Sequence, residues 1–307
     1  MNGIGKRLRT GKLLLSIVSI LTFTYAAFCL FLFARQRHLI YRPKAESALL
    51  PSTPAFDLPY EDVWISIANS NEKLHGWWIS ASAAKEKYRA IANEPVNILE
   101  TSKVMLYFCG VGRNMGDYNY LARVAAFRQL GFSVLVVDYR GYGQSKGNFP
   151  SESQVYQDAE AAWNYLQTVR RIPPQQILIY GESLGGAIAL DLAIQQPQAG
   201  GLIMQSSFTS MKDAVRSRGF LQLFPTDLLL TERFNSVEKI RSLQIPVLFL
   251  HGFNDSVVPA NMSQQLYNAA PHPKQIFFIA GANHVRIYQP ADQSYLRAIQ
   301  RFVESLP

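Results

Sequence analysis

Gln176-Ile177-Leu178-Ile179-Tyr180-Gly181-Glu182-Ser183-Leu184-Gly185-Gly186 decides the fold. Its first five residues form a short apolar run, as a strand buried on both faces does. Leu184 to Gln195 reads as a helix that stops before Pro197. Between them stands Gly-x-Ser-x-Gly, which in a strand–turn–helix context is a nucleophile elbow. Gly181 and Gly185 are needed there because the turn is tight and side chains would clash. The turn lifts the Ser183 hydroxyl above the sheet edge, at a helix N-terminus. Taken alone, the same residues also read as a Gly/Ser turn with Ser183 as a plain N-cap. The flanking strand and helix favour the elbow.

Outward from the elbow, the chain alternates strands with helices. Strands are expected at 63–68, 74–80, 104–109, 133–138, 176–180, 202–205, 247–250 and 275–279. Helices are expected at 118–130, 154–169, 184–195 and 289–306. This alternation predicts an α/β fold, a mostly parallel eight-stranded sheet with helices on both faces. The first two strands are joined by Asn69-Ser70-Asn71, a hairpin turn, so they should form an antiparallel edge. Residues 81–102 are polar and read as a surface loop. Residues 208–243 interrupt the alternation with apolar clusters around Pro225 and read as a small helical lid.

The chain has 307 residues, which suits one such domain plus an appendage, and a formal net charge of +8. The charge is concentrated. Lys6, Arg7, Arg9 and Lys12 precede the uncharged run Leu13–Phe33, and Arg35, Arg37, Arg42 and Lys44 follow it. At about 1.5 Å per residue the run reaches about 30 Å, the thickness of a bilayer's hydrocarbon core. A cleaved signal peptide would have an apolar region of about 7–15 residues ending in small residues. The longer run, closed by Arg35 and Arg37, predicts instead a retained single-pass membrane anchor. The balanced flanking charges do not orient it. The segments are thus 1–12 basic, 13–33 transmembrane, 34–60 a proline-bearing juxtamembrane connector, and 61–307 the globular domain. No nucleic-acid module accompanies the positive charge. Cys29 and Cys109 are the only cysteines, so no disulfide framework is expected.

A serine hydroxyl needs a base, and the base an orienting carboxylate. With a nucleophile elbow the chain order is serine, acid, histidine. Asp255 follows the strand VLFL (247–250) in HGFNDSVVP (251–259), and His284 follows the strand QIFFI (275–279) in AGANH (280–284). Both lie past strand C-terminal ends, where open α/β sheets bind ligands. Among rivals, His251 reads as a buttress of the acid loop. His75 comes too early in the chain, His272 lies in a surface turn and His38 beside the membrane. Asp158 and Asp191 fall within helices and read as solvated. Asp138 reads as holding the Arg140–Gly143 turn. An oxyanion hole should use the Leu184 N–H and the Val111 N–H from Cys109-Gly110-Val111. No metal-ligand set appears, and the chemistry needs no cofactor.

Together LYFCGVGRNMG (106–116), VVDYRGYGQSKG (136–147), IYGESLGGAIA (179–189), SSFTS (206–210), HGFNDSVVP (251–259) and GANH (281–284) resemble one family. It is the membrane-anchored, single-pass subgroup of the α/β-hydrolase-domain proteins, described as serine-aminopeptidase- or lysophospholipase-like. The resemblance implies the α/β-hydrolase fold and serine hydrolase activity. It implies Ser183 as nucleophile, Asp255 as acid, His284 as base, and Val111 and Leu184 as oxyanion donors. The sequence departs from the family at Cys109-Gly110-Val111, where His-Gly-Asn is usual. It also departs at Val285, where Asn is common, and at Gln205, where an acid is usual. The apolar lid and anchor lead to the expectation of a lipid or acylated substrate, cleaved at an ester or thioester. The alternatives are an amidase or peptidase with the same triad, or a non-catalytic membrane scaffold.

Overall fold

In the computed structural model, described here for residues 2–45, 49–81, 103–289 and 293–307, all eight expected strands form one sheet. They are β1 (Glu61–Ser66), β2 (Lys73–Ile79), β3 (Val104–Phe108), β4 (Ser133–Val137), β5 (Ile177–Glu182), β6 (Gly201–Gln205), β7 (Val247–Gly252) and β8 (Lys274–Ile279). Their order is β1-β2-β4-β3-β5-β6-β7-β8. β1 pairs antiparallel with β2, and β2 antiparallel with β4, while every pair from β4 to β8 is parallel. The expected antiparallel edge is therefore present, and β5, which carries the elbow, lies well inside the parallel part. The expected polar loop at 81–102 falls almost wholly outside the described residues.

Alternation along the central strands divides the core in two. Leu106, Phe108, Ile177 and Ile179 face one side, with Val155 and Trp163 of α3 (Glu152–Thr168) and Ile188 of α4 (Leu184–Gln195). Met105, Tyr107, Leu178 and Tyr180 face the other, with Leu121 and Phe127 of α2 (Tyr118–Gln129) and Ile299 of α9 (Ser294–Glu304). The closing helix begins at Ser294, later than its composition suggests. A helix the sequence did not call, α8 (Asn261–Ala269), follows β7.

Two findings change the expected organisation. Helix α1 runs from Asn2 to Ile40, so the helix carries on through part of the stretch read as a connector. Its segment Gly11–Ile40 is long and apolar enough to cross a membrane, with a mean hydropathy of 2.2 over an 18-residue stretch within it. The lid insertion consists of short pieces: α5 (Met211–Arg216), a 3₁₀ turn (Gly219–Leu223), α6 (Thr226–Leu229) and α7 (Ser236–Lys239). Its second half returns to the body, where Phe234, Ile240 and Leu243 are buried in the core. The stretch from Leu223 to Glu232 meets α1, through Tyr25, Gln36 and Arg37.

Candidate active site

The elbow is held by close backbone packing. A Cβ on Gly181 would lie 2.1 Å from the Gly185 carbonyl oxygen, and one on Gly185 would lie 2.2 Å from that of Phe108. Either distance is far inside van der Waals contact, so these positions admit only glycine. Ser183 itself has φ 54°, a left-handed conformation that costs a non-glycine residue energy and is retained at functional turns. The Ser183 N–H donates to the Gln205 carbonyl at 2.8 Å and its own carbonyl accepts from the Ser207 hydroxyl at 2.9 Å. Gln205, one of the departures from the family pattern, thus serves the elbow through its backbone.

The structure brings Ser183, His284 and Asp255 together from three strand ends. His284 Nε2 stands 3.1 Å from Ser183 Oγ, and His284 Nδ1 stands 2.7 Å from Asp255 Oδ2. Asp255 Oδ1 accepts from the backbone N–H groups of Val257 and Val258, both at 2.8 Å. Asp255 Oδ2 also meets His251 Nε2 at 3.1 Å, and His251 Nδ1 meets Ser263 Oγ at 2.6 Å. His251 is fully buried and buttresses the acid, as its position suggested. Burial by itself would raise the Asp255 carboxyl. The hydrogen bonds from His251 and His284, the charge of His284 and the Val258 N–H overcome it and hold the group well below the usual carboxylate range.

The loop Cys109-Gly110-Val111 lies against Ser183: a Cβ on Gly110 would be 3.5 Å from Ser183 Cβ. Val111, Ser183 and Leu184 line one cavity. In place of the usual His and Asn side chains, other groups brace this loop. Tyr139 Oη donates to the Cys109 carbonyl at 2.9 Å, and the Gly112 N–H donates to the Tyr41 carbonyl at 3.0 Å. Tyr142 Oη donates to the same Tyr41 carbonyl. Tyr41 in turn donates from its own hydroxyl to Glu232 at 2.7 Å. The residue just past helix α1 therefore holds the loop beside Ser183. Cys109 is buried, and burial pushes its thiol well above the ordinary value, so it packs as an apolar side chain.

Two positions differ from their sequence reading. Asp158 is fully buried instead of solvated, with its carboxylate 2.8 Å from Arg140 Nε and 2.9 Å from the Arg140 backbone N–H. Asp191 is paired with Lys239 at 2.5 Å. Asp138 packs against Gly143 of the turn, but its bonds reach beyond it: its Oδ1 accepts from the Met115 N–H at 2.8 Å, and its carbonyl accepts from Ser145 Oγ at 2.7 Å.

One cluster escaped the sequence reading altogether. Arg123, in the buried part of α2, donates to Glu182 at 2.7 Å, to Tyr107 Oη at 3.1 Å and to the Val285 carbonyl at 3.2 Å. Tyr107 Oη also donates to Glu182 at 2.9 Å. Glu182 precedes Ser183 and Val285 follows His284, so one guanidinium ties the Ser183 loop to the His284 loop. The sequence signal was slight: an arginine on the apolar side of a helix, and an acid inside the elbow.

The cavity beside Ser183 encloses about 1010 Å³, counting the part open to solvent. Its described wall is largely apolar. It includes Leu32, Leu39 and Ile40 of α1 and Met211, Leu221 and Phe224 of the lid, and its charged members, Arg42 and Arg218, are both cationic. Among the described residues no group of His, Cys, Asp and Glu side chains is arranged to hold a metal ion.

Comparison with known proteins agrees with this architecture. The family profile described as serine aminopeptidase, S33, matches residues 100–237, which hold the elbow but end before Asp255 and His284. An uncharacterised protein of Mycobacterium tuberculosis, Rv2307c, is 32% identical over 290 residues, covering 94% of this chain and 94% of its own length. The fission yeast protein bem46 (Schizosaccharomyces pombe) is 30% identical over 257 residues, covering 80% of this chain and 79% of its own. Among solved structures, the Pyrococcus furiosus esterase Pf2001 superposes with a TM-score of 0.67 at 19% identity, over 87% of this chain and 99% of that one. At that identity the likeness speaks for the fold. Sequence relationship along nearly the whole chain and the shared sheet together establish that this chain belongs to the α/β-hydrolase-domain family, in company with bem46.

Proposed function

We propose that this protein is a membrane-anchored serine hydrolase that cleaves an ester or thioester bond of a lipid or another acylated substrate. The observation that carries the reading is the hydrogen-bonded line from Ser183 Oγ through His284 to Asp255, opening on an apolar cavity. Ser183 Oγ attacks the acyl carbonyl carbon while His284 Nε2 takes its proton. Asp255 keeps the other ring nitrogen protonated and stabilises the imidazolium. The carbonyl oxygen, now negative, is met by the Val111 and Leu184 N–H groups, each worth roughly 3–4 kcal/mol of barrier in comparable sites. The C–O or C–S bond breaks as His284 passes its proton to the leaving group. Water, activated by the same histidine, then releases the acid and restores Ser183.

The wall of the cavity favours an acyl substrate over a peptide. A free peptide N-terminus calls for a carboxylate partner, and the described residues lining the cavity include none. Retention of the N-terminal segment is supported by the bonds between α1 and the lid. Tyr25, within the apolar run, engages Leu223, and Gln36 and Arg37 just beyond it engage Leu229 and Glu232. The test is labelling by an alkyl fluorophosphonate. The wild type should be modified at one site and Ser183→Ala should be blank. Equal labelling of the two would falsify the assignment.

A further inference from the structure

We propose that the cavity beside Ser183 is an acyl-chain slot built jointly by the lid and helix α1, and that it opens within the bilayer. The protein then draws a long-chain acyl ester sideways from the membrane that anchors it. For its chemistry this inference rests on the serine-hydrolase reading; for its membrane geometry it does not.

The first observation is a stripe on α1. Tyr25, Phe28, Leu32, Gln36 and Leu39 recur at intervals of three and four, which places them on one helix face. That whole face is engaged. The Tyr25 ring stacks on Phe224 with centroids 5.5 Å apart, and the Phe28 ring meets Phe224 at 5.0 Å. Leu32, Gln36 and Leu39 line the cavity. The anchor is therefore a wall of the site as well as a tether.

The second observation concerns polar groups in an apolar helix. The lid's short helical turns end in carbonyls that lack helical partners. In hydrocarbon such groups are costly unless the protein satisfies them. Tyr25 Oη donates to the Leu223 carbonyl at 3.1 Å, and Gln36 Nε2 donates to the Leu229 carbonyl at 3.1 Å. Gln36 Oε1 accepts from the Thr231 N–H at 2.8 Å. The polar members of the stripe sit where the lid's backbone needs partners: Tyr25 within the uncharged run, as a lid lying in lipid requires, and Gln36 three residues past its end.

The third observation is depth. Tyr25 lies eight residues before Phe33, where the uncharged run ends, or about 12 Å along the helix axis. With Leu13–Phe33 filling a hydrocarbon core of about 30 Å, the lid touches α1 well below the headgroups. Its outward face fits that placement: Phe220, Leu223 and Leu228 are 64%, 71% and 80% exposed. Large apolar side chains grouped on an outer surface mark an interaction site, and immersion by about 5–10 Å is usual for interfacial helices. Arg218, at the cavity rim, has a stem long enough to reach the headgroup region.

The lid's outer face and the slot are tested on the full chain in phosphatidylcholine vesicles. The first measurement is the emission of Leu228→Trp, less that of the wild type with its four tryptophans. Lipid brominated in its acyl chains should quench the added signal at least twofold. Quenching by aqueous iodide, with none by the brominated lipid, would overturn the immersion. The second measurement is the ratio of labelling rates at Ser183 for a hexadecyl and an ethyl fluorophosphonate. Leu32→Trp fills the slot from the anchor side and should lower that ratio at least tenfold. Leu39→Trp does the same from a second position should the first variant fail to fold. Leu14→Trp, on the same helix and away from the cavity, should keep the wild-type ratio. An unchanged ratio in folded Leu32→Trp and Leu39→Trp refutes the slot. If neither probe labels wild-type Ser183, the hydrolase reading and the slot fall together, while the quenching result decides the lid's immersion separately.

Discussion

Replacing Arg123 by Met probes the cluster that joins the Ser183 loop to the His284 loop. The Arg123 side chain is 1% exposed and that of Glu182 is 5% exposed. With the guanidinium gone, the Glu182 carboxylate keeps, among the described residues, the Tyr107 hydroxyl alone, and the Val285 carbonyl loses the Arg123 donor. Breaking one side of a buried ion pair costs about 3–5 kcal/mol, and an unsatisfied buried acceptor adds about 1–3 kcal/mol. Relaxation and water entry would place the total near the lower figures, about 3–5 kcal/mol out of a typical 5–15 kcal/mol. The loss comes mainly from stranding the carboxylate. The double variant Arg123→Met/Glu182→Gln should therefore recover about 1–3 kcal/mol relative to the sum of the single changes, as coupled neighbours do. Urea unfolding of the detergent-solubilised protein, followed by tryptophan emission, measures all three. A cost below about 1 kcal/mol for Arg123→Met, or strict additivity in the double variant, would show that the cluster is not a coupled brace.

Asp255→Asn keeps the shape but removes the charge that holds His284. The rate of acyl transfer should fall by about 10⁴-fold while slow fluorophosphonate labelling persists. Because the Asp255 carboxyl is held below its unfolded value of about 3.9, its stabilising effect is complete above that pH and is lost as pH falls below it. Acid unfolding of Asp255→Asn should accordingly be less steep below about pH 4 than that of the wild type. Asp138 behaves in the opposite sense. Burial raises its carboxyl to about 7, against the Met115 N–H that lowers it. Relative to Asp138→Asn, the wild type should lose stability as pH rises from about 4 toward 7, read from thermal unfolding across that range. Gly185→Ala sets a methyl carbon 2.2 Å from the Phe108 carbonyl oxygen. A displacement of about 1 Å at the elbow should cost on the order of a hundredfold in labelling rate, measured on protein whose circular dichroism is unchanged.

What the sequence determined by itself is what depends on short stretches of chain. Gly181, Ser183 and Gly185 declare the elbow because a tight strand-to-helix turn excludes side chains at the flanking positions. Runs such as VMLYF and VLFL declare strands because a sheet covered on both faces needs apolar residues on both. The positions of Asp255 and His284 follow from counting strand ends, since this architecture presents its loops along one edge. Tertiary structure alone decided the remainder. Arg123 meets Val285 across 162 positions of sequence, and Arg37 meets Glu232 across 195, separations that no periodicity encodes. Asp158 looked solvated because its partner Arg140 lies on another element. The bracing of the Cys109 loop by Tyr41 and Tyr139 was hidden because it runs through backbone carbonyls, which leave no mark on residue identity. The same reason conceals the largest change in the reading. In sequence Leu13–Phe33 is only an apolar run of membrane length, since hydrophobicity registers transfer out of water and not the neighbour that receives the side chain. Only packing against Phe224 and the cavity distinguishes one face of α1 from the rest.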